Sequence, residues 1–184
     1  IEIPTIEIKP IKTKSTLDTI KKINDYDWII FTSVNGVNQF FKNFFSEFDD
    51  IRSLGNIKIA AIGSETARNI NSYGLKVDLV PRKFIAEALV SEFKRRKISN
   101  QNILIPRAKG SREILVDELK SLGNKIKELK IYESIAPKSN IKRDISAQII
   151  KNNIYGITFT SSSTVHNFFK YISPKSLKKE KQIK

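Results

Sequence analysis

Short apolar runs alternate with segments of helical spacing along most of this chain, and that alternation restricts the fold more than any other feature. Trp28-Ile29-Ile30-Phe31 is a continuous apolar run, short enough to be a buried strand. Val37, Phe40, Phe41, Phe44, Phe45 and Phe48 follow at helical spacing, which reads as one core-facing stripe. Ahead of them, Ser15 and Asp18 form a capping-box pattern around apolar Leu17, Ile20 and Ile23. Ile57–Ile62 predicts a strand, and Ser64–Tyr73 a helix stopped by Gly74. Lys76–Val80 predicts a strand ended by Pro81, and Ala86–Arg96 a helix. Ile103-Leu104-Ile105 reads as a buried strand, Ser111–Leu122 as a helix with Gly123 just past its end, and Ile126–Tyr132 as a strand. Strands alternating with helices of this length predict an α/β fold, a parallel sheet covered on both faces. Crossovers are expected to be right-handed, with ligands beyond the carboxyl ends of the strands. Residues 9–130 then form a complete domain with five parallel strands.

The remainder is shorter. Asp144–Asn152 predicts a helix, Ile154–Phe159 a strand and Ser163–Ile172 another helix. Two helices and one strand do not bury a sheet face by themselves. An internal repeat gives this piece a meaning. Ile29-Ile30-Phe31-Thr32-Ser33 corresponds to Ile157-Thr158-Phe159-Thr160-Ser161, and the match continues through Val37 and Val165, Phe40 and Phe168, Phe41 and Phe169, Lys42 and Lys170. A constant spacing of about 130 residues exceeds any solenoid period and points to duplication of a whole domain. The second copy would then need a counterpart of Ile57–Gly74 after residue 184 and one of Asn102–Tyr132 before residue 1, so the second domain is expected to be incomplete in this chain.

Composition narrows the function classes. The chain has no cysteine and a single histidine, His166, so a disulfide framework, thiolate chemistry and a histidine-rich metal site are all excluded. No apolar run approaches the ~20 residues of a membrane span, and Ile1-Glu2-Ile3-Pro4 lacks the pattern of a signal peptide. The expected compartment is the cytoplasm, without a membrane partner. The formal net charge of +14 favours polyanions in general, but the charge is dispersed; Lys94-Arg95-Arg96-Lys97 and the tail Lys175–Lys184 read as solvated faces. The glycine-rich and aromatic-interleaved signatures of common RNA modules are absent, so nucleic acid is not an expected partner.

Several blocks carry a specific resemblance. Asp27-Trp28-Ile29-Ile30-Phe31-Thr32-Ser33-Val34-Asn35-Gly36-Val37 resembles the "D-W-hydrophobic-hydrophobic-F-T-S" segment of uroporphyrinogen-III synthases. Ile59-Ala60-Ala61-Ile62-Gly63-Ser64-Glu65-Thr66-Ala67, Pro81 with Phe84 and Ala86-Glu87-Ala88-Leu89, Ile105-Pro106-Arg107-Ala108 with Arg112-Glu113, Tyr132-Glu133, and Ile157–Val165 resemble the family's further blocks in the same order. The resemblance implies two flavodoxin/Rossmann-like α/β domains joined by a two-stranded ladder, with the active site between them. Residues 1–8 and 131–136 would be the linker strands, 9–130 the complete domain, and 137–184 part of a discontinuous second one.

The resemblance also implies an activity. Hydroxymethylbilane, a linear tetrapyrrole bearing acetate and propionate groups, loses water, inverts its terminal pyrrole through a spiro intermediate and closes to uroporphyrinogen III. No cofactor or metal is implied, and the enzyme is expected to be a monomer. Since the intermediate is already reactive, catalysis is mainly positioning. Carboxylates can be gripped by backbone N–H groups at helix N-termini. Sites of that kind are offered by Thr32 and Ser33, by Gly63, Ser64 and Thr66, and by Thr160, Ser161, Ser162, Ser163 and Thr164; each is equally readable as a plain helix cap. Glu65 opposes a carboxylate ligand unless it points away. Arg107 and Lys109 follow a strand and suit carboxylate pairing, or are surface cations. Tyr132 matches the family's tyrosine at the end of the returning strand, where a phenol can hydrogen-bond or donate a proton to the departing hydroxyl; by itself it also reads as a half-buried strand tyrosine. A non-catalytic module for polycarboxylate small molecules is the alternative.

Overall fold

In chain order the elements are β1 (Glu7–Pro10), α1 (Lys14–Lys21), β2 (Trp28–Phe31), α2 (Val34–Phe44), β3 (Lys58–Ala61), α3 (Ser64–Asn71), α4 (Ala86–Arg95), β4 (Asn102–Ala108), α5 (Ile114–Ser121), β5 (Lys125–Ile135) and α6 (Ser162–Tyr171). This is a computed structural model that describes residues 4–137, 156–159 and 161–173. The chain divides into two units: Pro10–Glu133, and a second built from Ile1–Lys9 together with Ser134–Lys184.

The five strands lie in the order β1-β5-β4-β2-β3. The pairs β2–β3, β2–β4 and β4–β5 are parallel. Alternate residues of β2 face opposite sides, and both sides are covered. Trp28 and Ile30 join Leu89, Val90 and Phe93 of α4 and Leu115, Val116 and Leu119 of α5 in one buried cluster. Phe31 faces α2, its ring 5.4 Å from that of Phe40. This double cover explains why β2 is apolar at every position rather than alternating. Asp27 ties the amino ends of three strands: its carboxylate accepts from the Asn102 amide at 2.8 Å, and its carbonyl accepts from Lys58 at 3.0 Å.

Three local expectations need correction. α1 is capped by Thr13, whose hydroxyl accepts from the Thr16 amide at 3.1 Å, and not through a box at Ser15. Lys76–Val80 forms no strand. Leu79 alone bridges to Ala60, because the Asp78 carboxylate and amide both fasten onto Ile59 and Pro81 follows at once. The first unit therefore has four parallel strands and a bridge rather than five strands. α5 begins at Ile114 instead of Ser111, because Gly110 (φ 80°) turns the chain and the Ser111 hydroxyl donates to the Ala108 carbonyl at 2.9 Å.

In the second unit, α6 is capped by Ser161 in a reciprocal box with Thr164. The Asn167 amide donates to the Thr5 carbonyl at 3.0 Å and the Tyr171 hydroxyl to the Pro137 carbonyl at 2.8 Å. The corresponding phenylalanines of the two segments pack alike. Phe31 and Phe40 meet at 5.4 Å and 72°, Phe159 and Phe168 at 5.3 Å and 69°. Phe40 and Phe41 meet at 5.2 Å and 85°, Phe168 and Phe169 at 5.3 Å and 87°. Residues 156–159 are not in a strand, and the helix expected at Asp144–Asn152 lies outside the described residues.

Candidate functional site

From β2 the chain steps outward to β3 and then returns to lay β4 on the other side of β2, so the strand order reverses between β2 and β4. In open parallel sheets such a reversal leaves a crevice at the carboxyl ends, because the helices that follow the two strands diverge to opposite faces. Ser33 leaves β2 at this point and caps α2, accepting from the Gly36 amide at 3.0 Å. Thr32 precedes it, half-buried. Gly36 lets the first turn of α2 lie close to β4: a Cβ there would stand 3.1 Å from the Pro106 carbonyl oxygen and 3.2 Å from Ser33 Oγ.

Tyr132 reaches the same place from β5. The β4–β5 register runs evenly from Asn102↔Lys125 to Arg107↔Lys130 and then jumps, so that Ala108 pairs with Tyr132. The extra residue is Ile131, and both Ile131 and Tyr132 are buried where alternation would expose one of them. A bulge of this kind re-aims the side chains beyond it. The Tyr132 hydroxyl lies 2.9 Å from Ser33 Oγ, while its carbonyl accepts from the Lys109 amide at 2.8 Å. Lys109 is exposed, its ammonium 3.6 Å from the Glu133 carboxylate. Ser33 and Tyr132 thus meet beyond the end of β2, and Lys109 adjoins them through its main chain at the end of β4 while its ammonium turns to Glu133.

Arg107 departs from both sequence alternatives. It is 3% exposed, bonds the Glu128 carboxylate at 3.2 Å and donates its other end to the Arg112 carbonyl. A guanidinium held in this way ties the β4–α5 turn through Nη1 and Nη2, while its buried Nε has no hydrogen-bond partner among the described residues. Removing the counter-charge leaves that cation buried and under-paired. Glu128→Gln is expected to lower unfolding free energy by about 2 kcal/mol, read by urea denaturation, while leaving ligand affinity unchanged.

At α3 the cap is Gly63 itself, with φ 99°, and no side chain bonds the first turn. Ser64 lies inside the helix, Thr66 is buried, and Glu65 is drawn to Arg68 at 2.6 Å, both of them exposed. In the second unit the Ser161 hydroxyl accepts from the Thr164 amide at 3.3 Å, and Thr164 Oγ1 accepts from the Ser161 amide at 3.2 Å. Ser162 and Ser163 lie in the first turn of α6, and Thr160 lies outside the described residues. His166 is exposed on α6. Sequence reasoning did not anticipate the close approach at Gly36, the bulge at Ile131 or the Glu128 partner of Arg107. Gly36 alone carried a signal, a glycine one turn into a helix where alanine is otherwise favoured.

The titration shifts that are resolved lie away from this place, in other loops and on α4. The Asp50 carboxyl is held down to about 2, chiefly by the Arg52 side chain and then by its amide, and burial raises Tyr26. Among the described residues no cluster of carboxylates and histidines is disposed to hold a metal, and no helix is long and apolar enough to cross a membrane.

These features define a mixed α/β protein with a five-stranded sheet and six helices among its described residues, with Ser33 and Tyr132 in contact beyond the carboxyl end of β2. The family model described as uroporphyrinogen-III synthase HemD matches residues 1–184. The chain belongs to the uroporphyrinogen-III synthase family. It is 36% identical over 173 residues to the uroporphyrinogen-III synthase of Synechococcus elongatus, covering 91% of this chain and 63% of that protein. It is 32% identical over 169 residues to the porphyrin biosynthesis protein HemD of Ruminiclostridium josui, covering 91% of this chain and 33% of the relative. The chain thus spans less than two thirds of the length of these curated relatives. Its fold is similar to a crystal structure of a mutant uroporphyrinogen III synthase from Thermus thermophilus, with a TM-score of 0.67 at 15% identity, covering 99% of this chain and 72% of that one.

Proposed function

We propose that the full-length protein is a uroporphyrinogen-III synthase, a lyase that cyclises hydroxymethylbilane with inversion of the terminal pyrrole and loss of water. The reading takes the protein as a cytoplasmic monomer of two flavodoxin/Rossmann-like domains: residues 9–130 form one, residues 137–184 supply part of the other, and residues 1–8 and 131–136 are the ladder strands between them. The observation that carries the chemistry is the phenol of Tyr132, brought by a strand bulge to the reversal point of the sheet beside the N-terminus of α2.

Tyr132 acts as the general acid. Its O–H bond breaks as the proton joins the departing hydroxyl, which leaves as water with the C–O bonding pair. The phenolate keeps the O–H electrons and takes back the proton released from carbon when the macrocycle closes, so water is the only other product. The acetate and propionate groups bind at the uncapped first turn of α3 (Gly63, Ser64, Thr66), at Thr32, at Lys109 and at the hydroxyl run Thr160–Thr164. Helix N-termini attract anions through free amides and the aligned peptide dipoles. Arg107 is left out of this set because it is buried and both of its terminal nitrogens are engaged by Glu128 and Arg112.

The test is incubation of the full-length protein with hydroxymethylbilane and chromatographic separation of the oxidised products. Predominant type III isomer is expected. Type I isomer alone, with bound product seen by calorimetry, would replace the synthase with a polycarboxylate-binding module.

A further inference from the structure

We propose that Ser33 is a positioning residue for Tyr132, the middle member of a relay that joins the N-terminus of α2 to the phenol; this rests on the synthase reading. Ser33 Oγ has two lone pairs and one proton. The Gly36 amide, whose hydrogen can only be donated, occupies one lone pair at 3.0 Å. The Tyr132 oxygen lies 2.9 Å away on another side. Two arrangements satisfy that contact, and they differ in what they leave free. If Tyr132 donates to Ser33, its proton is spent inside the protein. If Ser33 donates to Tyr132, the phenolic proton remains available to a substrate hydroxyl.

The surroundings favour the second arrangement. An amide donating to Ser33 Oγ polarises its O–H bond and makes it a stronger donor, because bonds in a chain reinforce one another in a low-dielectric site. That amide belongs to the first turn of α2, where aligned peptide dipoles place partial positive charge. As the phenol gives up its proton, negative charge develops on an oxygen that already receives a hydrogen bond from this terminus. Such preorganised donors help most when they face charge that appears only during the reaction. The half-buried Ser33 and the buried Tyr132 ring limit competition from water. Two further features maintain the distances. The bulge at Ile131 turns Tyr132 toward Ser33, and the missing side chain at Gly36 leaves room for Ser33 Oγ and the Pro106 carbonyl, which a Cβ would press at 3.2 and 3.1 Å.

The experiment is steady-state kinetics of type III formation by the full-length protein, with five variants. Ser33→Ala is expected to lower kcat by about 10-fold, the scale of a lost hydrogen bond to a charged group, with KM held within about two-fold. Ser33→Thr restores most of the rate. Ser33→Gly caps a helix nearly as well as serine, so it isolates the hydroxyl from helix stability and is expected to behave like Ser33→Ala. Residues acting as one unit are non-additive. Tyr132→Phe/Ser33→Ala is therefore expected to be no slower than Tyr132→Phe. A raised KM with unchanged kcat would make Ser33 a substrate contact and overturn the relay. So would a lowered Tm without a change in kcat in either hydroxyl-free variant, or additive losses in the double variant. If Tyr132→Phe is slow and Ser33→Gly is not, the relay alone fails. If the wild type yields only type I isomer, the synthase reading fails and the relay with it.

Discussion

Tyr132→Phe is expected to slow formation of the type III isomer by about 100-fold, the lower range for loss of a positioned general acid. The substitution removes one oxygen and nothing else. The ring stays in its buried place, and the bulge, set by backbone pairing of Ala108 with Tyr132, stays with it. The Lys109 amide still meets the Tyr132 carbonyl, because that bond is main chain. Circular dichroism and the unfolding midpoint should therefore change little, apart from the partner that Ser33 Oγ loses. KM should hold, since the phenol acts on the leaving hydroxyl and not on the carboxylates. What remains is the spontaneous closure of a reactive intermediate, so the product should drift toward the type I isomer as the rate falls. A variant that keeps the wild-type rate and isomer ratio would remove Tyr132 from the chemistry.

Phe40→Ala is expected to cost about 4 kcal/mol of stability, the usual scale for emptying a fully buried phenylalanine. Phe40 is wholly buried and contacts Phe31 edge-on at 5.4 Å, Phe41 at 5.2 Å and Phe44 at 5.9 Å. It therefore holds both the β2–α2 contact and the inner stripe of the helix. Surrounding rings are rigid and refill such a void poorly, which keeps the cost high. A thermal midpoint lower by about 10–15 °C is the matching readout for a domain of this size. Because α2 begins three residues after the end of β2, loosening it also moves Ser33 and should depress type III formation more than a surface change of equal size. Differential scanning calorimetry and the isomer assay on one preparation would separate the two effects; a midpoint within a few degrees of wild type would contradict the packing account.

Where a segment's fate depended on its own residues, the sequence was readable. β2 and α2 follow from four apolar residues in a row and phenylalanines at helical spacing, and Ala86–Arg95 from its periodic Leu89, Val90 and Phe93. What escaped depended on partners far along the chain. Arg107 reads from the sequence as a cation just past a strand, where a ligand-binding group would sit, yet it lies inside β4 and its environment is set by Glu128 on the neighbouring strand and by the Arg112 carbonyl. Lys76–Val80 has the look of a strand, but the Asp78 carboxylate uses the amide of Ile59. The bulge at Ile131 is a mismatch between two strands and has no mark in either. Ser33 announces a helix start by type, whereas its contact with Tyr132 joins residues 99 apart in sequence and belongs to the tertiary fold.

The strand order has a consequence for how the chain is made. β2 is synthesised before β4, yet one of its edges is filled only when β4 arrives more than 70 residues later. Until then the nascent polypeptide carries an apolar strand with open amides and carbonyls, a natural template for pairing with another chain. Ribosomal release of residues 102–108 is therefore the moment at which that hazard closes, and fragments ending before it should be markedly more prone to aggregate than fragments ending after β5.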